Sequence, residues 1–324
     1  MSNPSDSLLT TGLLAAVSRS FYLSLRVLPK PVRTPLSLSY LLARAADTIA
    51  DVPVRPAQER LSLLREFDQA IQNGPASEFF TAAAEFSRDV DHVGERTLLS
   101  RLPECWDALQ SCTPEEAAFI RTVLQRIIHG QSLDLQRFSD PSQPAALPDA
   151  AALDEYTWLV AGCVGEFWTE ICAHKIPEFS SVSREEMVRH ATLYGKGLQL
   201  INILRDQPKD MAEGRCYLPA DELRAAGLNT LTWPAADWKP WHAVRRPWLA
   251  AARERLQSGR SYVRALASIR LRFAALLPLL IGEATLDLLD AQPSDQQPQA
   301  AKITRSQIKR LMLRALWLSL RGRV

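Results

Sequence analysis

Glycine is scarce, at 13 of 324 residues, and no G-x-G-x-x-G or G-x-x-x-x-G-K-[ST] run occurs. The phosphate-cradling loops of nucleotide-binding α/β folds are therefore not expected. An excess of one charge is missing as well. Lys and Arg total 38 against 36 Asp and Glu, a net charge of +2. A nucleic-acid binder shows a clear basic excess or a basic stripe, so no nucleic-acid partner is expected. The five cysteines (Cys105, Cys112, Cys163, Cys172, Cys216) are odd in number and scattered, without a C-x-x-C pair or a histidine at ligand spacing. Reduced thiols of a cytosolic protein are the reading, in place of a disulfide framework or a zinc site. The opening M-S-N-P-S-D-S has no basic region followed by an apolar run, so no secretory signal is expected. No apolar stretch reaches the ~18 residues of a membrane span. The nearest, 273–282, is broken by Pro278 and closed by Glu283. A cytoplasmic chain is expected, peripheral at most on the inner membrane face.

What the chain does have is helical periodicity, on 47% hydrophobic and 23% charged residues. Leu8, Leu13, Leu14 and Val17 lead into a segment that runs through Phe21, Leu25 and Val27 and is stopped by Pro29 and Pro31. Thr34-Pro35 reads as an N-cap with proline at the first helical position, opening a helix over 36–50. Further helices are expected over 56–72, 77–90, 94–110 and 113–138, the last starting T-P-E-E with acids in its first turn. Residues 139–152 read as the clearest loop. Helices follow over 153–174, 184–205, 248–266 and 267–289. No period-2 strand set and no internal repeat is present. The expectation is one all-α domain over 1–324, with a polar linker at 290–300 and a basic amphipathic tail at 308–324.

The chemistry-bearing signal is a pair of aspartates four residues apart, found twice: D-T-I-A-D at Asp47 and Asp51, and D-Q-P-K-D at Asp206 and Asp210. On a helix, i and i+4 share a face, so each pair sets two carboxylates side by side. One such pair alone is commonplace on a solvated face. Here Leu41, Leu42, Ala45 and Ala46 precede the first, and Leu200, Ile201, Ile203 and Leu204 the second. Two carboxylates on a mostly buried helix call for a cation, and oxygen-only ligation selects Mg²⁺, with Mn²⁺ the other candidate. Mg²⁺ is held by one or two carboxylates plus substrate phosphates. Arg44 and Arg205 flank the pairs, and guanidinium groups suit phosphate oxygens.

S-R-S-F at 18–21, Y-L-L-A-R-A-A-D-T-I-A-D, Y-T-W-L-V-A-G-C-V-G and L-Q-L-I-N-I-L-R-D-Q-P-K-D-M-A-E-G-R-C-Y-L-P, in that order and spacing, resemble the squalene/phytoene synthase family over about 18–308. The resemblance implies an all-α isoprenoid-synthase helical bundle around a central cavity, joining two prenyl diphosphates head to head. It implies that Asp47, Asp51, Asn202, Asp206 and Asp210 bind the metal. Arg19, Ser20, Arg44, Gln199, Asn202, Arg205 and Arg215 would bind diphosphate. Tyr156 matches a family tyrosine linked to cation formation and proton loss, and reads equally as a packed aromatic. Gly162 and Gly165 would keep a helix wall narrow for a prenyl tail. Phe21, Tyr22, Phe138, Tyr156, Trp158, Phe167 and Trp168 are candidates for the apolar lining that shields cations from water.

One departure from the family pattern is Lys209, where an acid usually precedes the last aspartate. Pro208 beside it is expected to end or kink the helix. The segments S-R-S-F-Y-L-S-L-R-V-L-P, G-Q-S-L-D-L-Q-R-F and A-K-I-T-R-S-Q-I lean toward the squalene-forming branch. In that branch farnesyl diphosphate is the substrate, a cyclopropyl diphosphate the intermediate, and NADPH the reductant. Lys302 and Arg305 would meet the NADPH phosphates, or open the last helix as a basic surface turn. A dehydrosqualene or phytoene synthase that uses no nicotinamide stays open, as does an enzyme stopping at the cyclopropyl diphosphate or an alcohol. The absence of a D-D-x-x-D run counts against a chain-elongating prenyltransferase. The tail reads as a membrane-interface helix or as a last core helix with a basic outer face.

Overall fold

The computed structural model describes residues 12–18, 21–140, 142–229 and 237–322. In chain order the helices are α1 (Leu14–Val17), α2 (Phe21–Val27), α3 (Lys30–Asp51), α4 (Ala57–Asn73), α5 (Ser77–Phe86), α6 (Val93–Ser100), α7 (Leu102–Gln110) and α8 (Pro114–Arg137). Strand β1 (Ala145–Leu147) precedes α9 (Ala150–Thr157) and α10 (Cys163–Lys175), which are joined by a π turn at Trp158–Gly162. Then come α11 (Arg184–Ala212), β2 (Arg215–Pro219), α12 (Ala220–Ala225), α13 (Lys239–Ala265), α14 (Ile269–Asp290) and α15 (Arg305–Arg321). No described helix is long and apolar enough to cross a membrane. The chain divides into two compact units, Met1–Gln136 with Phe167–Phe179, and Arg137–Glu166 with Ser180–Val324.

In the first unit, α3 carries the core. Leu38, Leu41, Leu42, Ala45, Ala46 and Ile49 are fully buried along it. It begins earlier than Thr34-Pro35 suggests. Pro29 is the N-cap and Pro31 sits in the first turn, where a missing N–H forfeits no helical bond, while Pro35 lies inside the helix. A proline therefore marks a start here, though not the later of the two starts available. The stretch expected as one helix over 94–110 is two, because Pro103 falls in the first turn of a new helix and Arg101 (φ −109°, ψ 16°) leaves helical geometry.

In the second unit, α11 is the central element, with side chains buried nearly all round it from Met187 to Met211, mostly apolar or small but including Lys196 and Gln207. Several close approaches to it need the absence of a Cβ. A Cβ on Gly165 would lie 2.2 Å from the carbonyl oxygen of Ala191, and one on Gly195 would lie 2.3 Å from that of Ala161. Gly165 and Gly195 thus let the π turn and the start of α10 cross α11 at backbone contact. A Cβ on Gly162 would meet the Lys196 and Trp158 side chains at 3.0 Å. In the Cβ direction these glycines serve helix–helix packing.

Pro208 does not end α11, which runs on to Ala212. Proline at 208 cannot donate to the carbonyl of Leu204, four residues back. Arg245 on α13, buried to 1% exposure, supplies the missing donor: its Nη2 donates to Leu204 O at 3.5 Å and its Nη1 to Leu289 O at 3.4 Å. Burial pulls this guanidinium down to about 10. A cation is held in the interior to satisfy carbonyls, one of them freed by a proline.

The residues expected as loop after 139 contain β1, which pairs in parallel with β2 in the register Ala145↔Arg215 and Ala146↔Cys216. Three residues are too few to show an alternating pattern. Helix α9 is N-capped by Asp149, whose Oδ1 accepts from Ala152 N at 2.8 Å, so it begins earlier than the periodicity indicated.

Two substitutions test this packing. Gly165→Ala should destabilise the protein by about 2 kcal/mol or more in denaturant unfolding, because backbone must move to admit the methyl group. Arg245→Leu should cost less stability in a Pro208→Ala background than in the wild type, since alanine in place of the proline restores the backbone donor to Leu204; equal costs in both backgrounds would sever the link.

Candidate functional site

The first aspartate pair occupies the last two turns of α3, with Asp51 as its final residue. The carbonyl end of a helix is its negative end, so carboxylates there face both each other and the macrodipole. The protein surrounds Asp47 with donors. Arg44 on the preceding turn lies 3.7 Å from its Oδ2. Gln131 on α8 donates Nε2 to its Oδ1. Arg44 also donates Nη2 to Glu95 on α6. Even so, desolvation and the neighbouring Asp51 charge push the Asp47 carboxyl up to about 7. Asp47 nevertheless keeps 46% of its side chain accessible, so a ligand can reach it. Glu95 and Gln131 were not among the expected site residues. Gln131 lies within the quoted segment G-Q-S-L-D-L-Q-R-F, but nothing in that string says which side chain faces Asp47. Arg19 and Ser20 lie outside the described residues.

The second pair lies in the last two turns of α11, before Ala212. Asp206 is forked by its neighbour Arg205, whose Nε and Nη2 donate at 2.8 and 2.5 Å. Asp210 is left to burial and to the Asp206 charge, which raise it to about 7, while Arg215 is the largest opposing influence. Arg215 reaches this position because Gly214 adopts φ +73° and turns the chain from α11 into β2. Ala145 N donates to Gly214 O at 2.9 Å and holds that turn. Lys209, the departure from the family pattern, is 74% exposed and pairs with Glu213 at 3.7 Å. Its charge opposes the rise of the Asp210 carboxyl less than that of Arg215 does. Asn202 Nδ2 donates to Gln199 Oε1 at 3.3 Å on the turns before the pair.

Tyr156, at the end of α9, stacks on Tyr217 of β2 at 5.0 Å and 21°. Phe138 meets Tyr217 edge-on at 5.3 Å. Tyr217 was absent from the expected residues, since only the β1–β2 pairing carries it to Tyr156. In the first unit Phe21 stacks on Tyr40 at 5.4 Å and meets Trp168 edge-on at 6.4 Å. The Trp158 indole donates to Glu166 at 2.7 Å, and Phe167 is buried. Lys302 and Arg305 are exposed around Thr304, which caps α15 in a reciprocal bond with Gln307.

Each pair suits a hard divalent cation: the donors are oxygen only, and one carboxyl of each is raised to about 7, first by desolvation and then by its partner's negative charge. Among the described residues no three His, Cys, Asp or Glu side chains converge to hold a metal. Substrate phosphates and water would then complete the coordination.

The raised carboxyls predict a pH dependence. An acid whose pKa rises on folding, from about 4 to about 7, keeps a proton that the unfolded chain sheds. Without divalent cation, stability should fall as pH rises through that window. Mg²⁺ affinity should rise over the same range, with proton release on binding, and titration calorimetry at pH 6 and pH 8 in two buffers reads both. Equal affinity and no proton release would separate these carboxyls from cation binding.

The squalene/phytoene synthase family model matches residues 14–307. A presqualene diphosphate synthase of Rhodopseudomonas palustris is 29% identical over 214 residues, covering 66% of this chain and 63% of that protein. A bifunctional lycopene cyclase/phytoene synthase of Phaeosphaeria nodorum is 30% identical over 215 residues, 65% of this chain and 34% of that protein. The chain thus spans less than two thirds of either relative. The solved structure of TcSQS with the ligand E5700 superposes with a TM-score of 0.77 at 21% identity, over 98% of this chain and 89% of that one, which shows a shared all-helical fold. On its sequence, from α1 to the first turn of α15, and on its helical architecture, the chain belongs to the squalene/phytoene synthase family.

Proposed function

We propose that the protein joins two farnesyl diphosphates head to head through presqualene diphosphate and then reduces that intermediate to squalene with NADPH. The observation that carries the first half is the repeated aspartate pair, set each time at a helix C-terminus beside a guanidinium. Asp47, Asp51, Asp206 and Asp210, with Asn202, would hold Mg²⁺, which when bound supplies charge neutralisation for the departing diphosphate. Arg44, Arg215 and Gln199 would orient diphosphate oxygens. Arg205, now forked on Asp206, is the group that would exchange that carboxylate for a diphosphate oxygen.

The allylic cation left by ionisation is attacked by the 2,3-double bond of the second substrate, and loss of a proton closes the cyclopropane. Tyr156, stacked on Tyr217, would sit by that proton, while the aromatic rings keep water from the cations. Lys302 and Arg305 are exposed cations whose chemistry fits the phosphates of NADPH, and NADPH when bound supplies hydride to the last cation. The similarity to a presqualene diphosphate synthase favours a second reading, in which the product is released at the cyclopropyl stage. Phytoene or dehydrosqualene formation without reductant is a third, favoured by the phytoene synthase relative.

A product assay with farnesyl diphosphate and Mg²⁺, with and without NADPH, decides among these. Squalene should form only with NADPH, and presqualene diphosphate should accumulate without it. Presqualene diphosphate in both tubes would establish the second reading, and dehydrosqualene in both the third. Asp47→Asn and Asp206→Asn should each lower turnover by about 10²-fold or more with the fold retained; near-normal turnover would remove that residue from the metal set.

A further inference from the structure

Helix α15 packs on α14 through a narrow strip, with Ala315 and Ser319 the residues it buries. Its outer side is apolar. Leu313, Leu316, Trp317 and Leu320 follow the i, i+3, i+4, i+7 spacing of one helix face, and they are 69%, 46%, 50% and 61% exposed. These four are half of the large hydrophobic side chains that are exposed among the described residues. A stripe of this kind on a water-facing helix marks an interaction surface.

Its charge says with what. Arg310, Arg314 and Arg321 form a row along one edge of the stripe, and Lys309 lies near its N-terminal end; all four are exposed. Downstream of Asp295 the chain carries no acidic side chain. The Arg321 guanidinium lies over the Trp317 ring, 4.1 Å from its centroid, so its stem and charge follow the indole outward. An apolar face with an interfacial tryptophan and a margin of cations fits a bilayer bearing anionic headgroups. A second copy of the chain would bring the same cations against themselves.

We propose that α15 docks the protein on anionic membrane, with Leu313, Leu316, Trp317 and Leu320 entering the acyl boundary and Arg310, Arg314 and Arg321 meeting lipid phosphates. Binding is measured without substrate, so the proposal stands or falls separately from the catalytic reading. The test is co-sedimentation of the full chain with phosphatidylcholine vesicles, with and without phosphatidylglycerol. Partition into the anionic vesicles should exceed that into neutral ones by about a hundredfold at low salt and fall as salt is raised. Leu313→Ser/Leu320→Ser should lower partition about tenfold or more, with an unchanged melting temperature and unchanged turnover on dispersed substrate. Arg310→Glu/Arg314→Glu should abolish the preference for anionic lipid. Absence of vesicle binding, or equal binding by the variants, would overturn the proposal. So would concentration-dependent self-association that the Leu313→Ser/Leu320→Ser variant loses, since that assigns the face to a second copy.

Discussion

Two carboxylates one turn apart at the C-terminal end of a helix are opposed three ways: by each other, by the terminal carbonyls and by the loss of water around them. The local structure around both aspartate pairs answers that conflict. Around Asp47 the answer is Arg44 and the amide of Gln131, with Arg44 in turn bonded to Glu95. Around Asp206 and Asp210 it is the fork of Arg205 and the charge of Arg215. In neither case is the negative charge fully offset, and one carboxyl of each pair stays close to neutral pH in its titration. A site left short of positive charge is one that a bound cation would stabilise.

The scaffold around the second pair is arranged to hold a proline-interrupted segment of helix in place. Pro208 sits between the two aspartates and would ordinarily open the helix there. Arg245 stops this by donating to the freed carbonyl of Leu204, which requires a guanidinium in the interior of the second unit with 1% exposure. Such burial is costly, and the downward shift of that group to about 10 is its sign. One turn beyond, Gly214 reverses the chain with a left-handed φ and β1 catches it, so that Arg215 and Tyr217 come off a strand at defined positions. The glycine-mediated crossing of α10 on α11 fixes the same helix from another side. Precision in the aspartate pair thus rests on backbone contacts remote from the carboxylates.

The all-helical class, the two aspartate pairs and their flanking arginines could be read from the chain because each is a local pattern. Helical periodicity needs only 3.6-residue spacing, and an i, i+4 pair shares a face wherever the helix forms. The family motifs added the roles expected of Asp47, Asp51, Asp206 and Asp210. Gly162 and Gly165, expected to accommodate a prenyl tail, show the limit of that reasoning: along the chain a missing Cβ has the same signature whether a ligand, a side chain or a helix backbone fills the space.

What only tertiary structure decided is every feature that depends on residues distant in the chain. Gln131 reaches Asp47 across 84 positions, and Arg245 reaches Leu204 across 41. Strand β1 exists because β2 pairs with it; its own three residues carry no alternating signal. The composition of α15 named its apolar and basic residues but not which apolar ones would face outward, since Ala315 and Ser319, small residues, are what the neighbouring helix could accommodate at close range. Spacing along the chain determines which side chains share a face. Which partner that face meets is set by packing, because burial energy depends on the surfaces brought together and not on the order in which they are encoded.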